Sequence, residues 1–329
     1  MQESRSIDIV LPWVNGNDTL LNKERLSYMH NGKEAEFEDI AGHTRYLDLG
    51  EIRFCIASIN IFAPFVRKIF IVTDRQNPEL GQYLSDMFPD GYIPMEIIDH
   101  KDIFKGYEQF LPVFNSRAIE AMIWRIPDLS EQFILMNDDF MLTQKVSPED
   151  FFVEDKTVCY ADWFLTIWAR LLRWMKPRKN GHKNVGFKDS MLNAVEVLGG
   201  YPFFLCLGHT PRALRKSFYE KFFSDREDVL IRNIQHKFRH KEQYNSQELF
   251  YMSEYRKGRC IQKSIRRNAL YLKPKKASSY IDRKLQAFRN DTTHKFCCLN
   301  ALISAKEEDR IKVLEWAEEK INQNLRKSL

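Results

Sequence analysis

The sequence predicts an α/β fold, with a mainly parallel sheet in the first half and a mostly helical second half. Two observations carry that expectation. Apolar runs at Ile7–Val14, Lys68–Asp74, Pro94–Asp99 and Gln132–Met136 have the length of buried strands, and segments of helical character stand between them. Strands that alternate with helices build a parallel sheet, because parallel neighbours need a crossover. The second observation is that polar residues gather where these runs stop: Asn15 and Asp18, Asp74, Asp99, then Asp138 and Asp139. Ligands of open α/β sheets bind at the carboxyl ends of strands.

The chain has 329 residues, close to where a single hydrophobic core stops growing, so one catalytic unit with two lobes is expected, 1–150 and 151–329. A 44% hydrophobic share excludes a disordered chain. A net charge of +5 suits an anionic ligand or an anionic membrane surface and is too small to indicate nucleic acid. The six cysteines lack zinc-like spacing and mostly sit in apolar runs, so reduced core thiols are expected. The opening MQESRSIDIV has no apolar signal segment, and no run is long enough to span a bilayer; a cytoplasmic location is the expectation.

The first run, IDIVLPWV, is almost continuously apolar, as a central strand should be, and stops at Asn15-Gly16-Asn17-Asp18. Gly16 permits a tight turn that presents backbone N–H groups. Residues 20–46 are polar with few periodic apolar positions and read as a long binding loop. Ile52, Cys55, Ile56, Ile59 and Phe62 share a helix face, and Pro64 ends it. Pro78–Met87 reads as a further helix. Asn115 or Ser116 can cap a helix with Ile119, Met122, Ile123 and Ile126 at helical spacing, stopped by Pro127 and Asp128. The Gln132–Met136 strand then delivers Asn137-Asp138-Asp139. Two adjacent carboxylates at a strand end suit a divalent cation with a phosphorylated ligand, since Mg²⁺ takes one or two carboxylates plus phosphate oxygens. A polar strand-to-loop turn is the plainer alternative.

Beyond residue 150 the texture changes. Trp163–Lys176 is amphipathic: tryptophans and aliphatics fall on one half of a helical wheel, and Thr166, Arg170, Arg173 and Lys176 on the other. Such a helix either faces a core or lies in a membrane interface. The basic stretch KPRKNGHKNVGFK follows. Helices are expected near 189–198, 211–223, 244–257, 279–288 and 305–323, and a returning strand at Phe296–Leu299. In Gly208-His209-Thr210-Pro211, Thr210 is a good N-cap and Pro211 a good first helical residue. His209 would then precede a helix N-terminus, where phosphate binds and the dipole keeps an imidazole neutral. Arg239, within His236-Lys237-Phe238-Arg239-His240-Lys241, can clamp phosphate with its planar fork. Singly, each has a bland reading as a polar loop or a solvated turn.

Together these pieces resemble the Stealth family of sugar-1-phosphate transferases, which includes bacterial capsule polymerases and the animal GlcNAc-1-phosphotransferase. IDIVLPWVNGND is similar to the family's first block. YLDLGEIRFCIASINIFAPFVRKIFIVTD, LPVFNSRAIEAMIWRIPDLSEQFILMNDDF and PEDFF are similar to the second. HTPRALRKS and HKFRHKEQYNSQELFYM match the third, and KFCCLN the fourth. Three positions depart: Pro12 stands where Thr is usual, Asn15 where many members have Asp, and Ala301 where an acid often follows Asn300.

The resemblance implies a Rossmann-like or GT-A-like sheet holding a UDP-sugar, with Mg²⁺ or Mn²⁺. An oligosaccharide or lipid-linked glycan would accept the sugar phosphate in capsular polysaccharide or exopolysaccharide synthesis. It implies Asp138 and Asp139 as metal ligands, and Asp139, His209, Arg239 and Arg53 as catalytic. Trp13, Asn15, Gly16, Asn17, Asp18, Glu51, Asp74, Asn115, Ser116 and Glu120 would serve the donor site. No nucleic acid is implied, and peripheral contact with the inner membrane leaflet is compatible with the amphipathic segment. Two alternatives stay open: a metal-dependent glycosyltransferase that releases UDP, and a non-catalytic sugar-binding protein.

Overall fold

A five-stranded sheet lies at the centre of the computed structural model, which describes residues 6–29, 49–175, 178–179, 182–183, 186–273, 276–299 and 302–328. In chain order the first half gives β1 (Ile7–Pro12), α1 (Thr19–Met29), α2 (Glu51–Phe62), β2 (Val66–Thr73) and α3 (Gly81–Met87). It continues with β3 (Met95–Asp99), α4 (Ser116–Glu120), β4 (Gln132–Leu135) and β5 (Phe140–Leu142). The second half opens with β6 (Lys156–Leu165), α5 (Thr166–Met175), α6 (Phe187–Val197), β7 (Phe203–Leu207), β8 (Arg212–Arg215) and α7 (Lys216–Ser224). It closes with α8 (Glu227–Ile234), α9 (Ser246–Arg256), β9 (Cys260–Lys263), β10 (Ala269–Tyr271), α10 (Ser278–Arg289), β11 (Phe296–Cys298) and α11 (Glu307–Ser328).

Strands β1, β2, β3 and β4 are parallel, in the spatial order β4-β1-β2-β3, so the expected mainly parallel sheet is present. β1 is central and buried almost throughout, which explains its unbroken apolar run. Val10 packs into one core and Ile9 and Leu11 into the other, because successive side chains leave opposite faces of the sheet. Asp8 is the exception inside this strand. The Arg67 guanidinium clasps it at 2.9 and 2.7 Å, and Ser130 N–H donates to it at 2.7 Å. A buried carboxylate without such partners would be costly. α2 covers one face through Ile52, Cys55, Ile56, Ile59 and Phe62, as its periodicity predicts, and starts after Gly50 at φ 88°, a left-handed conformation that favours glycine.

The second half does not stand apart from this sheet. β8 adds to it antiparallel beside β4, and β11 pairs β5 antiparallel and β10 parallel. β6 pairs β7 antiparallel and β9 parallel. Strands β7, β9, β10 and β11 lie between the expected helices.

Four local expectations are corrected. Residues 211–223 do not form one helix: Arg212–Arg215 is strand, because its backbone completes the sheet edge and Ala213 and Leu214 are buried there, and helix begins only at Lys216. The helix after Asn115 stops at Glu120, and Trp124 Nε1–H takes the Ala121 carbonyl at 2.9 Å, an acceptor a continuing helix would need. Trp163–Leu165 belong to β6 rather than to the amphipathic helix. Residues 20–29 are helical rather than loop, Asp18 Oδ1 accepting from Leu20 and Leu21 N–H as a cap; residues 30–46 lie outside the described ones.

Candidate active site

From β1 the chain moves outward through β2 and β3, then returns to place β4 on the other side of β1. The crevice at the carboxyl ends of β1 and β4 is therefore the switch point where such sheets bind ligands. The turn leaving β4 carries Asn137, Asp138 and Asp139, and three segments fix it. Phe140 N–H closes it onto the Asn137 carbonyl at 3.1 Å, and Leu299 N–H donates to the Asp139 carbonyl at 2.9 Å. The Cys55 thiol of α2 donates to the Asn137 carbonyl at 3.6 Å. Burial pushes that thiol up, with the Asp138 and Asp139 charges adding to the effect, so both acids lie near the first turns of α2.

Asp139 is the anomaly. Its Oδ2 accepts from the Cys298 thiol at 3.6 Å, while its buried Oδ1 has no hydrogen-bond partner among the described residues. Burial raises its carboxyl to about 6, opposed by the thiol bond and by the Arg212 charge. An under-satisfied buried carboxylate beside a second acid fits a hard divalent cation, which takes oxygen ligands. Asn300 and Ala301 lie outside the described residues.

His209 stands beside this turn, but not at a helix N-terminus, since strand β8 follows it. Its ring stacks on Tyr271 at 5.0 Å and on Phe187 at 6.3 Å, and meets the edge of Phe140, the residue after Asp139, at 6.4 Å. The neutral imidazole expected from a helix dipole therefore has a different cause. Burial first, and the Arg212 charge second, hold His209 down at about 4.

Arg212 carries no signal of its own in the sequence, where it falls within the helix expected over 211–223. It is buried, its guanidinium lies 5.9 Å from the Phe187 ring centroid, and its Nε has no hydrogen-bond partner among the described residues. One buried cation thus acts on both Asp139 and His209. Sequence reasoning misses Phe187 and Tyr271 for the same reason: only the tertiary fold brings them to His209.

On the β1 side, Gln76 staples two strand-end loops together. Its Oε1 accepts from Asn15 N–H at 2.9 Å, and its Nε2 donates to the Asn15 carbonyl at 3.2 Å and to Asp18 Oδ2 at 3.0 Å. That last bond, the largest cause, holds Asp18 below the usual carboxylate range. Asn15 Oδ1 accepts from Asn17 N–H, Gly16 is buried, and Trp13 is buried with its N–H on the Val72 carbonyl at 2.9 Å. Asp74 is held by Arg75 at 2.8 and 3.1 Å.

Arg239 is positioned by the opposite wall. Its Nη2 donates to Ser116 Oγ at 3.2 Å, at the start of α4. Asn115 pins the Arg239 loop to that helix: Nδ2 donates to the His236 carbonyl at 2.7 Å, while Oδ1 accepts from Ala118 N–H and Gln243 Nε2. Glu120, the last residue of α4, accepts from Gln247 at 2.9 Å. Glu51 is buried at the start of α2, where it accepts from Leu49 N–H. Arg53 is exposed, 5.9 Å from the Tyr83 ring centroid. Among the described residues His236, His240 and Glu242 also bring donor atoms within 4.8 Å of one another, a second group able to hold a cation. A cavity of about 540 Å³ lined by Glu131, Arg215 and Lys221 sits at the amino ends of the strands, away from all of these.

A buried acid, a neutral histidine and a buried arginine at the switch point of a parallel sheet define an α/β protein with a partly unsatisfied polar cluster at its strand ends. Comparison with known proteins narrows that class. The model of Stealth protein CR2, conserved region 2, matches residues 45–160. A capsular polysaccharide phosphotransferase of Streptococcus thermophilus is 30% identical over 234 residues, covering 70% of this chain and 84% of that protein. An exopolysaccharide phosphotransferase of Streptomyces coelicolor is 31% identical over 71% of this chain, which spans only 36% of that longer protein. The galactosyltransferase LgtC is similar in chain course at 9% identity and a TM-score of 0.47, over 95% of each chain. The chain belongs to the Stealth family.

Proposed function

We propose that this chain transfers sugar-1-phosphate from a UDP-sugar to a hydroxyl of a glycan acceptor, in capsule or cell-surface polysaccharide synthesis. Family membership supports phosphotransfer. The observation that carries the site is Asp139, a buried carboxyl with an unpartnered oxygen beside a neutral His209. In this reading Asp138 and Asp139 hold Mg²⁺ or Mn²⁺, which when bound neutralises charge on the diphosphate oxygens. His209 takes the proton of the acceptor hydroxyl. The acceptor oxygen bonds to the β-phosphorus, the bond from that phosphorus to the bridging oxygen breaks, and UMP leaves with the electron pair. The sugar C1–O bond survives, and the product is a phosphodiester.

Arg239 and Arg53 steady the phosphates, and Arg212 adds positive charge from below. Trp13, Asn15, Gly16, Asn17, Asp18 and Asp74 line the donor side, while Asn115 and Ser116 set Arg239, and Glu51 and Glu120 orient neighbours or contact the sugar. Residues 1–150 carry the donor, and 151–329 complete the acceptor cleft. Among the described residues no helix is long and apolar enough to cross a membrane. We place the enzyme in the cytoplasm, touching the inner leaflet and acting on an oligosaccharide or a lipid-linked glycan. The test is nucleotide analysis of a reaction with donor, acceptor and Mg²⁺ or Mn²⁺. UMP with phosphorus in the new linkage is the expected result; stoichiometric UDP with no phosphorus there overturns it.

A further inference from the structure

Helix α5 is mounted inside out. Its small and basic residues face the protein: Thr166 and Ala169 are buried, and Arg173 donates to the Asp189 carbonyl at 2.7 Å and to Asn193 Oδ1 at 3.0 Å on α6. Arg170 joins the same seam through Glu196 at 3.6 Å. Its apolar residues Ile167, Trp168, Leu171, Leu172, Trp174 and Met175 face outward, Ile167 at 69% and Trp168 at 55% exposure. A surface helix of a water-soluble protein is normally seated the other way, and contiguous apolar patches of this kind mark interaction sites.

Charge selects the occupant. The chain runs on from α5 through Lys176, Arg178, Lys179, Lys183 and Lys188 with no acid among residues 176–188. Tryptophans and aliphatics next to a cluster of cations match the two halves of an anionic lipid–water interface. We propose that α5 docks the protein on the surface of an anionic phospholipid bilayer, its apolar face in the acyl boundary, with the cations that follow it in the sequence selecting anionic lipid. This deepens the proposed function and rests on it only for the acceptor. α6, to which α5 is clamped, begins with Phe187, the residue stacked on His209, so docking would hold the candidate site close to a lipid-borne acceptor.

The test needs neither donor nor acceptor. The purified protein is sedimented with vesicles of phosphatidylcholine, alone or mixed with phosphatidylglycerol, and compared with the double variant Ile167→Glu/Trp168→Glu. Wild type should bind the mixed vesicles, release at high salt, and show blue-shifted tryptophan emission; the variant should lose tenfold or more in partitioning. Its circular dichroism and its transfer to a water-soluble acceptor should be unchanged, which separates failure of docking from failure of the phosphotransferase reading. Absence of binding to either vesicle overturns the proposal. So does equal binding to phosphatidylcholine alone, or a self-association in solution that the same variant abolishes, which would make this face a protein interface.

Discussion

The substitution Asp139→Asn separates function from stability in a way that changing an ordinary surface acid would not. In the folded chain without metal, burial lifts this carboxyl from the usual 3.8 to about 6. The folded state therefore binds the proton more tightly than the unfolded chain does, and stability falls as pH rises from about 4 to about 6. The full loss, complete above that range, is about 3 kcal/mol at most, from about two pH units at 1.4 kcal/mol each. The amide introduced by Asp139→Asn would carry no charge and escape that loss, offset by the roughly 1–3 kcal/mol of burying an unpaired N–H. The variant should thus be no less stable than wild type at pH 7.5, yet inactive. A cation bound only by the folded wild type at about 100 times its dissociation constant adds about 2.7 kcal/mol. For a chain of 329 residues, at about 2.1 cal/mol/K of unfolding entropy per residue, that is a melting shift of about 4 °C. Differential scanning fluorimetry with and without Mn²⁺, at pH 5 and 7.5, measures all of this. The shift should be present in wild type at pH 7.5, reduced at pH 5 where proton and metal compete, and absent in the variant. Near-normal turnover, or a preserved Mn²⁺ shift, would refute the assignment; a variant destabilised by several kcal/mol would show that the carboxylate serves the fold.

His209→Ala should lower kcat/KM by about two to three orders of magnitude, typical of losing a general base, with circular dichroism unchanged; steady-state kinetics of the purified variant check it. Arg239→Lys keeps the charge but loses the planar fork and its bond to Ser116, so kcat/KM should fall tenfold or more with circular dichroism unchanged. Arg212→Gln removes a charge that favours the Asp139 carboxylate, so in metal-free protein the loss of stability with rising pH should extend to higher pH than in wild type; an unchanged pH dependence of melting refutes the coupling.

The parallel sheet and its polar strand ends were legible because both signals are local. β1 shows burial as an unbroken apolar run, and the Asp pair sits where a short strand stops. The acids, His209 and Arg239 are separate points in the sequence that only the family resemblance joins; the fold sets His209 beside the turn that carries the acids. What failed were segments whose state the tertiary contacts decide. Arg212–Arg215 has helical neighbours and helical spacing, but the unpaired edge of β4 captured its backbone. The pattern over Trp163–Lys176 predicts a helix that the structure begins only at Thr166, and it does not say which face meets the protein, because amphipathicity is the same whether a core or a lipid surface takes the apolar side. Arg212, Phe187 and Tyr271 carry no sequence signal of their own; the side-chain environment that makes His209 neutral exists only after folding.

The ordinary order of the two titrating groups is inverted here, and that inversion bears on mechanism. A carboxyl at about 6 and an imidazole at about 4 mean that near pH 5 the site's proton resides on Asp139, not on His209. One cause serves both, since desolvation penalises charge of either sign. An imidazole held this low is a poor acceptor for a hydroxyl proton, because general bases work best near the operating pH. The ligands themselves supply the correction. In the proposed reading a diphosphate beside His209 would favour the imidazolium and bring the base nearer the operating pH, while a cation beside Asp139 would favour the carboxylate. Nuclear magnetic resonance of ¹⁵N-labelled histidine should find His209 titrating below pH 5 in the free protein, and about one pH unit or more higher with UDP and Mg²⁺ bound. A midpoint near the ordinary 6.5 in the free protein would contradict the burial argument. No movement on adding UDP and Mg²⁺ would mean that the phosphates do not lie against His209, and the base would have to be sought elsewhere.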